Sequence, residues 1–268
     1  GHKNSDLDSV GAAIGLWSAI TKALHKPAHV VVRQEQSLAK ALIDNFLNAG
    51  YGNIFMEPGE AVHTITDKTL LIVVDTHSPS FLESTDIYQK CRQVVVIDHH
   101  RMMVNHITNS IVFFHEPYAS STAEMATELV QYMGDNVLTR LEAEALLSGI
   151  MLDTKNFVLK TGVRTFEAAA YLRQRGADTV EVKRLFSNSI DSYKAKYQLV
   201  SNAEIYHQCA IACADTVPSN VRVTAAQAAD ELLGLQDVRA SFVVYPADGN
   251  INISARSLGE INVQLVME

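Results

Sequence analysis

Cysteine is scarce in this chain. Its three thiols, Cys91, Cys209 and Cys213 in 268 residues, are odd in number and too few for a disulfide framework. That points to a reducing compartment. Basic residues are short as well: 22 Lys and Arg stand against 30 Asp and Glu, a net charge of −8. Salt-driven binding along a nucleic-acid duplex needs a broad basic face, so no duplex partner is expected. A small anion can still be held by cations placed locally. Long hydrophobic runs are missing too. Nothing approaches the roughly 18 apolar residues of a membrane-spanning helix. No charged head followed by an apolar stretch marks a signal peptide. Internal repeats and low-complexity segments are absent. What is present is a globular composition, 47% hydrophobic and 19% charged. At about 150 residues per domain, the length suits one large domain or two smaller ones.

The first two-thirds alternate between two textures. Short β-rich apolar runs lie at Val30–Arg33, Leu70–Val74, Val94–Ile97 and Ile111–Phe114. Continuous apolar runs suit strands buried on both faces, as in a parallel sheet. Helical patterns fill Val10–Leu24, Ser37–Ala49 and roughly Phe81–Cys91. This alternation predicts a doubly wound α/β layer with helices on both faces. Beyond Pro117, helices are expected at 121–133, 139–152, 165–175 and 179–186. A polar-amphipathic stretch over 190–203 has no Gly or Pro and reads as a connector helix. Strands return at Ile205–Ala214, Ala240–Tyr245 and Ile251–Ala255, alternating with helices at Ala225–Leu233 and Glu260–Met267. The expected organisation is a domain over 1–189, the connector, and a smaller α/β domain over 204–268. A buried strand is also expected upstream of Gly1, because such a strand usually precedes a loop of this kind.

Four segments carry metal-competent side chains. His2, Asp6 and Asp8 fall within seven residues, just ahead of a helix. Gly11 and Gly15 then share one helix face, a spacing that permits close approach to a sheet. Leu70–Val74 runs into Asp75-Thr76-His77. A carboxylate at the carboxyl end of a buried strand is where open α/β sheets place ligands. Val94–Ile97 runs into Asp98-His99-His100-Arg101. An apolar helix ends in Asp153, where the helix dipole disfavours an acid; Lys155 could compensate, and a cation could do so better.

His2, Asp6, Asp8, Asp75, His99 and Asp153 would together gather four carboxylates at one sheet edge. Such a group repels itself unless it takes up protons or cations. Two divalent cations would balance the charge. Mixed imidazole and carboxylate donors suit Mn²⁺, and also Fe²⁺, Co²⁺ or Zn²⁺, better than Ca²⁺. Paired ions roughly 3.5–4 Å apart are a standard device for in-line displacement at phosphorus. His77 reads as a support for the site. His25, His29, His63 and His106 read as bystanders. The Cys209-x3-Cys213 spacing fits no common zinc knuckle, so these thiols are expected to be buried small hydrophobes. Arg256, at the end of an alternating strand, is a natural phosphate partner.

G-H-K-N-S-D-L-D-S at 1–9, V-V-D-T-H at 73–77, D-H-H at 98–100 and L-D-T at 152–154 resemble the four motifs of the DHH phosphoesterase superfamily. A-Q-A-A-D-E-L-L at 226–233 and I-S-A-R-S-L-G-E-I-N-V-Q-L at 253–265 are similar to its GdpP-type cyclic-di-AMP phosphodiesterases. The resemblance covers essentially the whole chain. It implies a parallel-sheet DHH domain and a DHH-associated substrate-binding domain that is incomplete at its C-terminus. It implies two Mn²⁺ ions, one held by His2, Asp6 and Asp75, the other by Asp8, Asp75, His99 and Asp153, with Asp75 and a hydroxide bridging. His100 would reach the scissile phosphate, with Asp98 orienting the histidines. Arg256, Ser257 and Arg101 would contact substrate. The implied reaction converts cyclic di-AMP to linear 5′-pApA. An oligoribonuclease acting on short RNA such as pApA, a nucleotide-sensing module and an inorganic pyrophosphatase remain alternatives. Ser5 stands where the family commonly has Pro, and the family's glycine-rich substrate loop is expected after residue 268. The resemblance also implies a cytoplasmic module of a membrane-anchored parent, and is compatible with a homodimer.

Overall fold

The computed structural model describes residues 1–268 apart from 135, 188–189, 215–220, 248, 260 and 268. The chain divides into two compact units, Gly1–Phe186 and Ser187–Glu268.

The first unit runs α1 (Leu7–Lys22), β1 (Val30–Val31), α2 (Lys40–Asn48), β2 (Phe55–Met56), α3 (Pro58–Thr64), β3 (Leu70–Val74), α4 (Thr85–Lys90), β4 (Gln93–Asp98), β5 (Val112–His115), α5 (Thr122–Gln131), α6 (Arg140–Asp153), α7 (Val163–Gln174) and α8 (Thr179–Arg184). Every pairing between these strands is parallel: β1 with β2, and β3, β4 and β5 in that order. The side-chain period of two sorts the central sheet. Ile72, Val74, Val95 and Ile97 pack on the face that shares a core with α1, α5 and α6. Val73, Val94 and Val96 pack on the opposite face, with Ala61 of α3 and Ile87 of α4. Helices therefore cover both faces, and the strands are apolar on both sides for that reason.

Several boundaries differ from the sequence reading. The strand expected over Val30–Arg33 is two residues long, because the Arg33 carbonyl turns back to accept from the N–H groups of Gln36 and Ser37. The helix expected from Phe81 begins at Thr85, where Ser84 caps it through a bond from Ile87 N–H. β2 and α3 were not expected. The close approach allowed by Gly11 and Gly15 is to helix α6, not to a sheet. A Cβ on Gly11 would lie 2.3 Å from the Ala145 carbonyl oxygen, and one on Gly15 2.6 Å from Leu146 Cδ2.

The second unit runs α9 (Ile190–Ser201), β6 (Glu204–Tyr206), β7 (Cys209–Cys213), α10 (Val221–Leu233), β8 (Ala240–Ala247), β9 (Asn250–Ser257) and α11 (Val263–Met267). Its four-stranded sheet has the order β6-β7-β8-β9, with β7 and β8 parallel and the outer pairs antiparallel. The stretch 205–214, expected as one strand, is a hairpin. His207 and Gln208 form its turn at φ +46° and +64°, a conformation usually signalled by Asn or Gly. α9 contributes Leu199 to this unit's core, beside Ala210, Ala212, Ala229 and Val243. Burial in β7 belongs to those two alanines. Cys209 is half-buried and Cys213 exposed, since alternate residues point away from the core. Among the described residues, no helix is long and apolar enough to cross a membrane.

Candidate metal centre

Four element ends converge at one edge of the first unit. β3 delivers Asp75, β4 delivers Asp98, His99 and His100, and the N-terminus of α1 delivers Asp6 and Asp8. Asp153 arrives from the last residue of α6. Asp6 is the N-cap of α1: its Oδ1 accepts from the N–H groups of Asp8 at 3.0 Å and Ser9 at 3.1 Å. Asp75 sits just past the strand end in the left-handed region, at φ +62°. Such strain in a non-glycine residue costs about 1 kcal/mol or more and gathers at functional sites.

The donor atoms fall into three overlapping groups, each within 4.8 Å: His2, Asp6 and Asp75; Asp8, His99 and Asp153; and Asp75, His99 and His100. All six predicted ligands are thus brought together. Asp75 faces two sides at once. Its Oδ2 lies 3.4 Å from His2 Nε2, and its Oδ1 3.6 Å from both His99 Nε2 and His100 Nδ1.

The two imidazoles are anchored from behind. His2 Nδ1 donates to the Lys3 carbonyl at 2.8 Å, and His99 Nδ1 to the Ala119 carbonyl at 3.4 Å. With the proton on Nδ1, a neutral ring turns its Nε2 lone pair inward. His99 Nε2 is buried without a hydrogen-bond partner. It nevertheless lies 3.1 Å from Asp153 Oδ2, 3.6 Å from Asp75 Oδ1 and 3.7 Å from Asp8 Oδ2. A buried lone pair among three carboxylates needs either a proton or a metal ion between them. Nitrogen and oxygen donors in this mixture fit a divalent transition ion.

The electrostatics point the same way. Burial pushes the Asp8 carboxyl well above its usual range, and the charges of Asp75, Asp153 and Asp6 add to the rise. Burial also raises Asp75, outweighing the opposing pull of His2. Asp6 is lowered: burial works against it, but hydrogen bonding to His2 prevails. His2 is likewise opposed by burial, yet Asp6 and Asp75 lift it to about 10. Asp8 accepts the N–H groups of Thr122 and Ala123, each at 2.8 Å, at the start of α5. Two such bonds contribute about 1.5–3 kcal/mol each. One like charge at 4 Å costs about 4 kcal/mol at an effective dielectric of 20. With three acidic neighbours, hydrogen bonds alone do not offset the repulsion.

Sequence reasoning missed three supports. Thr122 Oγ1 donates to Asp75 Oδ1 at 3.0 Å, and nothing in its local sequence marks that role. Gly149 on α6 lets the helix lie against the site. A Cβ there would meet Asp8 Oδ1 at 2.8 Å and Asp8 Cα at 2.9 Å. His115 Nε2 donates to the His100 carbonyl at 2.6 Å.

Asp98 accepts from His100 Nδ1 at 2.8 Å and pairs through its other oxygen with His77 Nδ1. Burial opposes its ionisation, but hydrogen bonds from His100 and His77 hold it at about 2. The same bond to Asp98 raises His100. Arg101 is exposed on the loop after His100. In the second unit, Arg256 Nε donates to Asp230 Oδ1 at 2.9 Å, and Ser257 Oγ accepts from Gly259 and Ile261 N–H. Both residues thus have partners within their own unit.

Comparison with known proteins supplies a family for this centre. The chain is 44% identical over its full length to the cyclic-di-AMP phosphodiesterase GdpP of Geobacillus thermodenitrificans, of whose length it spans 42%. It is 33% identical to a membrane protein–ribosomal subunit bL9 fusion protein of Onion yellows phytoplasma, spanning 32% of it. A crystal structure of an exopolyphosphatase-related protein from Bacteroides fragilis covers 97% of the chain, and the chain 78% of it. The TM-score is 0.77 at 18% identity, a likeness of fold. Residues 1–150 match the N-terminal domain of the DHH family, and the chain belongs to that family.

Proposed function

We propose that this chain is the catalytic module of a manganese-dependent phosphodiesterase that hydrolyses cyclic di-AMP to linear 5′-pApA. The observation that carries the reading is Asp75, whose two carboxylate oxygens face two separate groups of donors. His2, Asp6 and Asp75 would hold one Mn²⁺, and Asp8, Asp75, His99 and Asp153 the other. Bound there, the ions would supply the charge that neutralises the acids, an activated water and stabilisation of the leaving oxygen. The substrate assignment is supported by the full-length similarity to the Geobacillus enzyme.

The protein's own groups do the rest. Thr122 and the first N–H groups of α5 hold Asp75 and Asp8 in place. His100, half exposed beside Asp75, meets the scissile phosphate through Nε2, because Nδ1 is committed to Asp98. Arg101 offers charge to the phosphates. The second unit is the DHH-associated, substrate-binding part, where Arg256 and Ser257 engage the dinucleotide after Arg256 leaves Asp230. The parent protein is membrane-anchored, a reading supported by the phytoplasma relative's name.

Turnover of cyclic di-AMP and of linear pApA by the Mn²⁺-loaded protein, followed by chromatography, tests this. Faster consumption of the cyclic dinucleotide, with pApA accumulating, is expected. Preferential conversion of pApA to AMP would replace the reading with an oligoribonuclease.

A further inference from the structure

Beside the cluster of acids lie two histidines that the reaction outlined above does not use: His77, bonded to Asp98, and His115, packed against His77. Asp98 is fully buried at the end of β4. A buried carboxylate oxygen left without a donor is costly, so both oxygens need partners. Oδ1 takes the His100 Nδ1–H at 2.8 Å and the His100 main-chain N–H at 3.2 Å. Oδ2 takes His77 Nδ1–H.

The His77 tautomer follows from a separate contact. Its Nε2 accepts the Met103 main-chain N–H at 2.9 Å. An amide N–H only donates, so Nε2 carries no proton and the ring proton lies on Nδ1, facing Asp98. The ring is 1% exposed. It is held edge-on by Phe113 and His115, with centroids 6.3 and 5.3 Å away. His115 in turn fixes the His100 backbone through its carbonyl. A histidine that merely filled the core would not have both nitrogens committed in this way.

We propose that His77 is a positioning residue for catalysis: bonded to one oxygen of Asp98 while His100 is bonded to the other, it fixes the His100 ring with Nδ1–H inward and Nε2 presented to substrate. This rests on the role given to His100 above. An apolar residue at 77 would leave Asp98 Oδ2 buried and unpaired. The carboxylate would then turn or take up a proton, and His100 would lose its fixed acceptor. The spacing of the donor matters. An Asn amide nitrogen falls where Nδ1 stands, whereas a Gln amide nitrogen reaches the place of Nε2.

The test compares His77→Phe, His77→Asn and His77→Gln with the wild type. Groups that support a site from behind typically change activity about 10–100-fold. His77→Phe should lower kcat on cyclic di-AMP by about 30-fold, with KM and the Mn²⁺ dissociation constant within about threefold. His77→Asn should recover most of kcat and His77→Gln should not. In a His100→Ala background, His77→Phe should add no further loss, because both changes remove one function. Long-range ¹H–¹⁵N spectra of the metal-free protein give a readout independent of substrate. Recorded at a pH where the His100 ring is neutral, they should show its proton on Nδ1 in the wild type and in His77→Asn, and lose that signature in His77→Phe and His77→Gln. Equal recovery by Asn and Gln, a loss that adds to that of His100→Ala, or an unchanged His100 signature would overturn the proposal. If the spectra respond as expected but the wild type leaves cyclic di-AMP intact, the positioning role stands and the substrate assignment falls.

Discussion

Two groups of acids and imidazoles sit side by side at the same sheet edge, and they are balanced in opposite ways. Around Asp98, two ring N–H groups and a main-chain N–H fill both carboxylate oxygens, and the acid is held at about 2. Around Asp75, four carboxylates crowd two imidazole nitrogens, and His99 Nε2 has no hydrogen-bond partner. The same residue types thus form one group that satisfies itself and another that needs protons or cations to balance it. The difference lies in the ratio of acids to imidazoles: two rings serve the single carboxylate of Asp98, whereas four carboxylates gather around Asp75.

The sharpest way to break this contrast is Asp75→Asn. It removes the shared carboxylate, and Mn²⁺-dependent turnover should fall by about 10³-fold or more, some 4 kcal/mol of transition-state stabilisation. The metal-free variant should melt no lower than the metal-free wild type, since one of four mutually repelling charges is gone. Turnover near that of the wild type would contradict the assignment.

Metal loading probes the same imbalance directly. Mn²⁺ at about 100 times its dissociation constant should add roughly 2.7 kcal/mol of stability. For a domain of 150–250 residues that corresponds to roughly 5–10 °C in Tm. A chelator should reverse it. An unchanged melting temperature would mean that the cluster needs no ion.

Gly149→Ala places a methyl against Asp8 Cα at 2.9 Å. Overpacking of this kind costs about 1–3 kcal/mol. Thermal melting should show the loss, and titration calorimetry a weaker Mn²⁺ affinity. Gly50, where an added Cβ meets nothing within 4 Å, does not touch the cluster. Gly50→Ala should leave metal affinity unchanged, whatever its φ of +87° costs in stability.

The smallest effect is in protons. In the metal-free protein His2 titrates near 10 and Asp8 well above the usual carboxylate range. At pH 7 His2 is held in its protonated form, and an incoming ion must displace that proton. Mn²⁺ affinity should therefore rise with pH between 6 and 8. Calorimetry in buffers of different ionisation enthalpy should show about one proton released. Affinity independent of pH would count against the account.

Much of this was legible in the sequence, because the chemistry sits at element ends. Asp75, Asp98 and His99 follow buried strands whose apolar runs are unmistakable, and Asp6 and Asp8 stand at a helix start. The supports were not legible, because they act across the fold. Thr122 reaches Asp75 from 47 residues away, and Gly149 matters only because α6 lies against α1. The hairpin at His207–Gln208 was hidden for a different reason. Neither residue is one that ordinarily marks a turn with positive φ, so tertiary context overrode local preference.

Anomalous scattering from a crystal grown with Mn²⁺ tests the central claim most directly. Two peaks are predicted, one among His2, Asp6 and Asp75 and one among Asp8, Asp75, His99 and Asp153, each in contact with a different Asp75 oxygen. A single ion, none, or peaks away from these side chains would contradict it.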